Sequence, residues 1–441
     1  MDALIQDLSY NPILHIDEGV FAKLRNIIYL FFVEVYLPSL EPDVISNLSS
    51  LTTVSASDNR LCCLLNDQEN VTCARTSARS PLETCGRLYP SAVLGIFGWI
   101  IGLTALVGNI AVLALRFHQH EKLSVQILLI INLAVADCLM GVYMIFITLA
   151  DVHFGDIFFL IAPWWRQSIV CKVASVLAFL SSELSVLTLA LITLDRLICI
   201  MFPFGKYHLN VKITGMFLVV AWLSVLVVGV LPYVLYSDLS GIYGLSDVCL
   251  GLPLHVDSGE TGILRFQREL PWSEEFIVVY EAISSDIRPS WIYSVIIFIG
   301  VNAILFLFIL ICYISMFVEV KRSTRSVGNS EMRWREIKVA RKMAFIVGTN
   351  FACWMPIVIM GILTQTGLVV LPSSLYAWVV IFILPINSSI NPIIYTFLNF
   401  HVRRRRNKRN TSALNSVSRN VDFKRIHRRS RNNSITRETR A

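Results

Sequence analysis

Cys171–Met201 reads CKVASVLAFLSSELSVLTLALITLDRLICIM. The apolar run is continuous enough for one long helix. Its first 24 residues hold one base, Lys172, and one acid, Glu183; Asp195 and Arg196 then stand side by side near the end. At a rise of about 1.5 Å per residue, Cys171 and Arg196 lie roughly 37 Å apart, enough to set one at each face of a bilayer. A cysteine on one side and an Asp-Arg pair on the other, in a chain with six further apolar segments, points to a membrane bundle that relays a signal.

Composition supports the membrane class. Of 441 residues, 55% are hydrophobic and 16% charged, with a mean hydropathy of +0.63. Soluble proteins carry about 25% charged residues. Seven apolar spans follow one another at approximately 92–115, 125–149, 169–201, 213–236, 290–318, 338–364 and 374–398. Each can cross a bilayer, because a helix satisfies its own backbone polar groups. The expected fold class is therefore all-α, a seven-transmembrane helix bundle. The connections at 116–122, 202–212 and 319–337 are rich in Lys and Arg. By the positive-inside rule they face the cytosol together with the C-terminus, and the N-terminus is outside. Residues 237–289, an outer loop in this scheme, carry nine acids against Arg265, Arg268 and Arg288. That balance reads as a solvated loop or as a docking surface for a basic ligand. Trp164 and Trp165 are expected in an aromatic belt at the outer membrane edge.

The N-terminal part repeats with a period of 24. Ile13, Leu37 and Leu61 correspond, as do Ile16, Leu40 and Leu64, and Leu8, Phe32 and Ala56; residues 51–61, LTTVSASDNRL, fit the leucine-rich-repeat pattern with Ala56 for one Leu. About two and a half repeats are present, with Val35 in place of the middle Asn. Cys62, Cys63, Cys73 and Cys85 follow at once, a disulfide-stapled cap and hinge whose three pairings the sequence leaves open. Cys171 and Cys249 flank apparent loops and are expected to be oxidised and extracellular as well, whereas Cys138, Cys199, Cys312 and Cys353 are expected as small apolar packing residues. Asn47 and Asn70 are glycosylation acceptors if this part is lumenal. The domains are 1–64, the repeat remnant; 65–91, the cysteine-containing hinge; 92–398, the seven-span domain; and 399–441, a basic cytoplasmic tail. The first residues, MDALIQDLSYN, lack a positive n-region and an apolar h-region, so a fragment or an incomplete gene model is expected.

Asp137 lies in the middle of the second span. A charge there costs about 2.5–3.5 kcal/mol on insertion scales, so it must face the bundle interior and find partners. Ser181, Ser182 and Ser185 on the third span and Asn387, Ser388 and Asn391 on the seventh are the candidates. Asp137 among Ser185, Asn387 and Asn391 is suited to bind a sodium ion or take a proton; no other metal or cofactor is expected. Pro356 and Pro392 kink the sixth and seventh helices.

These residues fall into motifs that resemble the rhodopsin-like G-protein-coupled receptors span by span. The motifs are Gly108-Asn109, Leu133-Ala-x-Ala-Asp137, Cys171 with Asp195-Arg196-Leu197, Trp222, Cys353-Trp354-x-Pro356 and Asn391-Pro392-x-x-Tyr395. Leucine-rich repeats, then LCCLL, a hinge and seven spans are also the order of the leucine-rich-repeat receptors. GIYGLSDVCLGLPLH and WVVIFILPINSSINPIIYT are especially similar to the relaxin receptors. The resemblance implies an extracellular peptide hormone of the relaxin/insulin type, a heterotrimeric G protein of the Gs class and cyclic AMP as output, with the chain in the plasma membrane. It implies a Cys171–Cys249 disulfide, and an Arg196 held inactive by Asp195 and Glu336. It gives Pro203 and Phe204 as the inner-loop pair that docks on the G protein, and Trp354, Pro356, Asn391, Pro392 and Tyr395 as switch elements. Asn109 belongs with the Asp137 pocket.

The chain departs from that pattern at Leu305, where the fifth helix commonly has proline, and at Asn350, where these relatives carry Asp. Residues 262–289 look inserted. Arg403–Asn410, RRRRNKRN, suits anionic membrane lipids, and tail serines suit a receptor kinase and arrestin. Nothing in the chain points to nucleic acid or to an enzyme. The alternative function is a truncated, non-signalling receptor form or fragment that binds partner receptors or is retained in the secretory pathway.

Overall fold

Strands recur at the sequence period. The structure is a computed structural model that describes residues 5–65 (apart from 14, 18, 25, 36, 38, 39, 46 and 47), 70–75, 85–118, 122–202, 208–235, 247–250, 261–268, 276–283, 295–326, 331–365, 375 and 378–394. β1 (Ile5–Asp7), β2 (Tyr29–Phe32) and β3 (Thr53–Ala56) pair in parallel, with Ile5 opposite Tyr29 and Tyr29 opposite Thr53, so the register step is the 24-residue repeat. Parallel neighbours need a crossover connection. Here it carries Leu37, Leu40, Val44, Ile45, Leu48 and Leu51, which pack on Leu30, Phe32, Val54 and Ala56 in one apolar core. Tyr10 and Glu34, also 24 apart, both turn the chain at positive φ. One period later the chain does something different. Asp58 caps α1 (Asn59–Leu64), its side chain accepting from the Arg60 backbone N–H, and β4 (Thr72–Arg75) closes the sheet in the order β1-β2-β3-β4.

Disulfides fix this closure. Cys62 pairs with Cys73, tying α1 to β4, and Cys63 pairs with Cys85, tying α1 to the strap that enters the first span. Of the three pairings open in the sequence, adjacent cysteines on one helix reach two different segments.

The remaining elements are mostly apolar helices: α2 (Ala92–His118), α3 (Val125–Phe154), the short α4 (Phe158–Gln167), α5 (Ile169–Met201), α6 (Val211–Leu235), α7 (Asn302–Ser326) preceded by a π-turn over Val295–Val301, α8 (Glu331–Gln365) and α9 (Val379–Ile394). Among the described residues, five helices are long and apolar enough to cross a membrane, and Val347–Leu363 and Val379–Ile394 are shorter apolar helices. The all-α expectation holds for this bundle only. Outside it lie the four-stranded sheet and a second sheet, the antiparallel hairpin of β5 (Thr261–Arg268) and β6 (Phe276–Ile283), between α6 and α7 in the chain. Compact packing divides after Asn391, within α9.

α5 is the central helix. Its buried residues run from Cys171 to Ile200, including Ser181, Ser182, Glu183, Ser185, Asp195 and Arg196. α6 by contrast exposes Met216, Val219, Val220, Leu223 and Val227, as a helix facing lipid does. Close packing depends on one glycine in particular. A Cβ at Gly141 on α3 would stand 2.6 Å from the Leu106 backbone N and 2.9 Å from its Cα on α2. Neither helix can relieve that without moving its backbone. Gly141→Ala is therefore expected to cost about 1–3 kcal/mol and to lower the detergent melting temperature; an unchanged melting curve would show that α2 and α3 separate freely.

Candidate functional site

The apolar periodicity of α3 puts Asp137 on its inner face, fully buried. One carboxylate oxygen accepts from Ser185 Oγ on α5 at 3.2 Å, and the other from Asn391 Nδ2 on α9 at 2.8 Å. Asn109 on α2 donates to the Ala105 carbonyl at 2.8 Å and to the Ser388 carbonyl of α9 at 3.0 Å. Asp137 thus joins α3 to α5 and α9, and α2 is tied to α9 beside it through Ser388. Asn387 sits a step further out. Its Nδ2 donates to Asn350 Oδ1 on α8 at 3.4 Å, and its Oδ1 accepts from Ser388 Oγ at 3.1 Å. Asn350 therefore meets Asn387 of α9. Within this core Asn109 Oδ1, Ser181 Oγ, Asn350 Nδ2 and Trp354 Nε1 are buried with no hydrogen-bond partner among the described residues. Buried polar atoms are satisfied in nine cases out of ten or more, so these four are exceptions to the rule.

At the opposite end of α5, Arg196 donates through Nε (3.0 Å) and Nη2 to Asp195 Oδ2, and both residues are buried. Glu336 lies on α8, but its side chain is outside the described part. Pro203, Phe204, Tyr395 and Asn47 also fall outside the described residues. Pro356 is inside α8, Asn391 and Pro392 are in α9, and Trp354 is 1% exposed with its ring 6.2 Å from Phe306 on α7. Asn70 is exposed, as a glycan acceptor must be.

The Cys171 end of α5 is closed by the chain around Cys249. Cys171 and Cys249 form a disulfide across 78 residues. Asp247, Val248, Cys249 and Leu250 are all buried. Tyr143 on α3 donates to the Val248 carbonyl at 2.9 Å, and Trp165 Nε1 donates to the Asp247 carbonyl at 2.8 Å. Trp165 corrects the belt expectation. Adjacent positions on α4 are about 100° apart, so Trp164 is exposed while Trp165 is buried against Phe154 and the loop. The strap from the hinge is pinned beside it. Asp151 accepts from the Tyr89 backbone N–H at 2.9 Å, and the Tyr89 hydroxyl meets Thr148 Oγ1 at 3.0 Å. Burial pushes the Tyr89 phenol above its ordinary range, so it stays neutral in this contact.

Two contacts escaped the sequence reading. Arg60, buried on the repeat cap, donates to Asp58, to the Leu37 carbonyl and, at 3.2 Å, to the Leu160 carbonyl of α4, so the cap and the bundle touch. Nothing in the spacing of Arg60 and Leu160 could have shown that. The second was half visible. Trp222 Nε1 on α6 donates to Asn132 Oδ1 at 2.8 Å, and Asn132 Nδ2 donates to Thr188 Oγ1 at 2.7 Å, joining α6, α3 and α5. The Trp was recognised and its partner was not. Asn132→Leu removes both bonds; interhelical bonds of this kind contribute about 1–2 kcal/mol in model peptides. A melting temperature lower by several degrees is the expected result, and an equal one would mean that lipid or water replaces Asn132 at no cost.

The sequence matches the profile of the 7 transmembrane receptor (rhodopsin family) over residues 108–259 and 278–395. The break, 260–277, takes out β5 and the first residues of β6, so the hairpin belongs to this chain and lies outside that profile. Among curated relatives, the G-protein coupled receptor GRL101 of Lymnaea stagnalis is 34% identical over 380 residues, 85% of this chain and 31% of its own length. Relaxin receptor 1 of Mus musculus is 35% identical over 323 residues, 73% of this chain and 38% of its own. The follicle-stimulating hormone receptor of Cairina moschata is 26% identical over 343 residues, 77% and 43%. The chain thus spans about a third of the length of the first two.

Proposed function

The chain belongs to the rhodopsin family of 7 transmembrane receptors, and from that premise we propose that it crosses the plasma membrane seven times, takes a peptide hormone of the relaxin/insulin type from outside and activates a heterotrimeric G protein of the Gs class. It is a G-protein-coupled receptor of the hormone-receptor type and not an enzyme. The observation that carries the reading is the buried Asp195–Arg196 pair, at the opposite end of α5 from the Cys171 disulfide, with the Asp137 network between them. One helix then connects the outer loop, a polar core and the inner surface. Ligand shifts such a bundle by its differential affinity for two states, and by no more.

The N-terminal sheet is read as a leucine-rich-repeat remnant on the outside, and the basic tail as cytoplasmic, next to anionic lipid, receptor kinase and arrestin. The Asp137 carboxylate and the Ser185 hydroxyl that meets it are oxygen donors of the kind a sodium ion takes, and Ser181 Oγ on α5 and Asn109 Oδ1 on α2 are buried without a partner among the described residues. Bound there, sodium would supply positive charge to a buried acid. This chain's own residues hold that acid between α3, α5 and α9.

The test is cyclic AMP in cells expressing the chain with an added signal peptide and a surface tag, first without ligand and then with relaxin-type peptides. A peptide-dependent rise is expected. Good surface density with no response to any relaxin-type peptide would overturn the ligand class. A second reading, a non-signalling receptor form that binds partner receptors or stays in the secretory pathway, is favoured by the β5–β6 hairpin, whose first strand lies outside the family profile.

A further inference from the structure

α3 and α5 bury four acids, Asp137, Asp151, Glu183 and Asp195, and of these Glu183 alone has been given no task. It is 4% exposed, on the central helix. A carboxylic acid at that depth costs several kcal/mol unless it is hydrogen-bonded. Its donor is Asn302 Nδ2 of α7, at 3.0 Å from Oε1. The same amide nitrogen lies 3.4 Å from the carbonyl of Ile297, five residues back. That carbonyl belongs to the π-turn Val295–Val301, and Asn302 is the residue at which the backbone returns to α-helical winding.

The geometry is that of a latch. A π-turn widens a helix by one residue and occurs as a single turn inside an α-helix, often at functional sites. Leu305 cannot hold such a distortion as a ring-locked residue would. Asn302 holds it instead, with one hydrogen on the π-turn carbonyl and one on the third span. The consequence lies one turn below. Phe306, four residues after Asn302, packs its ring on Trp354 (6.2 Å) and Phe351 (5.8 Å) of α8. Undoing a π-turn removes one residue from the turn and rotates everything beyond it by about 100°. Phe306 would leave its place against Trp354. The contact between α7 and α8 therefore depends on the Glu183–Asn302 bond.

We infer that Glu183 is a positioning residue for signalling: through Asn302 it fixes the π-turn of the fifth span to the third span and so sets the contact of Phe306 with Trp354. This inference deepens the receptor reading and rests on it. The bond matters, and the charge does not, so an amide acceptor at 183 should serve.

The experiment uses the full chain with a surface tag and reads ligand-free nucleotide exchange on a panel of Gα classes, per receptor at the surface. Glu183→Leu and Asn302→Leu are each expected to raise exchange three-fold or more. The double variant should go no further than the single ones, as expected of two ends of one bond. Glu183→Gln, which keeps an acceptor oxygen, should stay within two-fold of wild type. Because leucine at either site can prevent folding, a second pair is made. Asn302→Asp alone sets acid against acid and leaves no donor for the Ile297 carbonyl, so it should raise exchange; adding Glu183→Gln restores only the bond to α5 and should bring exchange part of the way back. Additive effects, a Gln variant that behaves like Leu, or no rescue by the reversed pair would overturn the latch. Asp195→Asn separates the two levels. If it raises exchange while the Glu183 and Asn302 variants do not, the latch alone falls. If no variant moves exchange for any Gα class, the receptor reading falls and the latch with it.

Discussion

Arg196→Ala is expected to reduce G-protein activation at least ten-fold while leaving the receptor density at the surface within two-fold of wild type. Arg196 and Asp195 are both buried and hydrogen-bonded to each other at the end of α5. Such a pair adds little net stability against an apolar replacement, but removing one partner leaves an uncompensated charge that costs about 3–5 kcal/mol. The two single variants should therefore differ in sign. Asp195→Asn takes the carboxylate charge away from the guanidinium and favours any state in which Arg196 reaches another anion or the G protein, so ligand-free activity should rise. Arg196→Ala strands the carboxylate, which can turn toward water at the helix end, and it removes the group that the G protein would meet. Activity equal to wild type in Arg196→Ala, at equal surface density, would contradict the assigned role.

The second large effect is expected at the Cys171 end of the bundle. Cys249→Ser should cut surface delivery by an order of magnitude, and Cys171→Ser should match it, with the double variant no worse. The bond closes a loop with a sequence separation of 78, for which the chain-entropy model gives about 4.5 kcal/mol. More is at stake than the cross-link. The segment Asp247–Leu250 is held under Trp165 and against Tyr143 by two backbone carbonyls, and the Arg166 guanidinium stands 3.6 Å from the Asp247 carboxylate. Freed of Cys171, these groups would have to hold a long acidic loop by hydrogen bonds alone. Full surface density of Cys249→Ser, together with unchanged melting, would show that the hydrogen bonds suffice.

The reach of the sequence can be judged from particular residues. Asp137 had to be buried with partners, because a lone acid in an apolar span has no other stable option, and Ser185 and Asn391 were on the right helices to be those partners. The 24-residue period was legible because parallel strands at constant register require it. Asp195 and Arg196, adjacent in sequence, needed no fold to be brought together. The misses have a common cause. Trp165 and Trp164 are indistinguishable in composition, and only the seating of α4 against the outer loop decides which is buried. Cys62 and Cys63 are adjacent, and only the arrival of β4 and the hinge decides their partners. Arg60 meets Leu160 across 100 residues. Asn302 reads as one more polar residue in an apolar span until Glu183 is found opposite it. The hairpin β5–β6 was anticipated as an insertion at 262–289 but not as strands, although Phe276-Ile-Val-Val-Tyr280 is rich in strand formers.

The most direct test of the central claim is nucleotide exchange on purified Gα subunits, one from each class, with membranes that contain this chain at a verified density. The account predicts exchange above that of empty membranes for at least one class, Gs first, and its loss in Arg196→Ala. Exchange no different from empty membranes for every class, with the chain folded and at the surface, would contradict it.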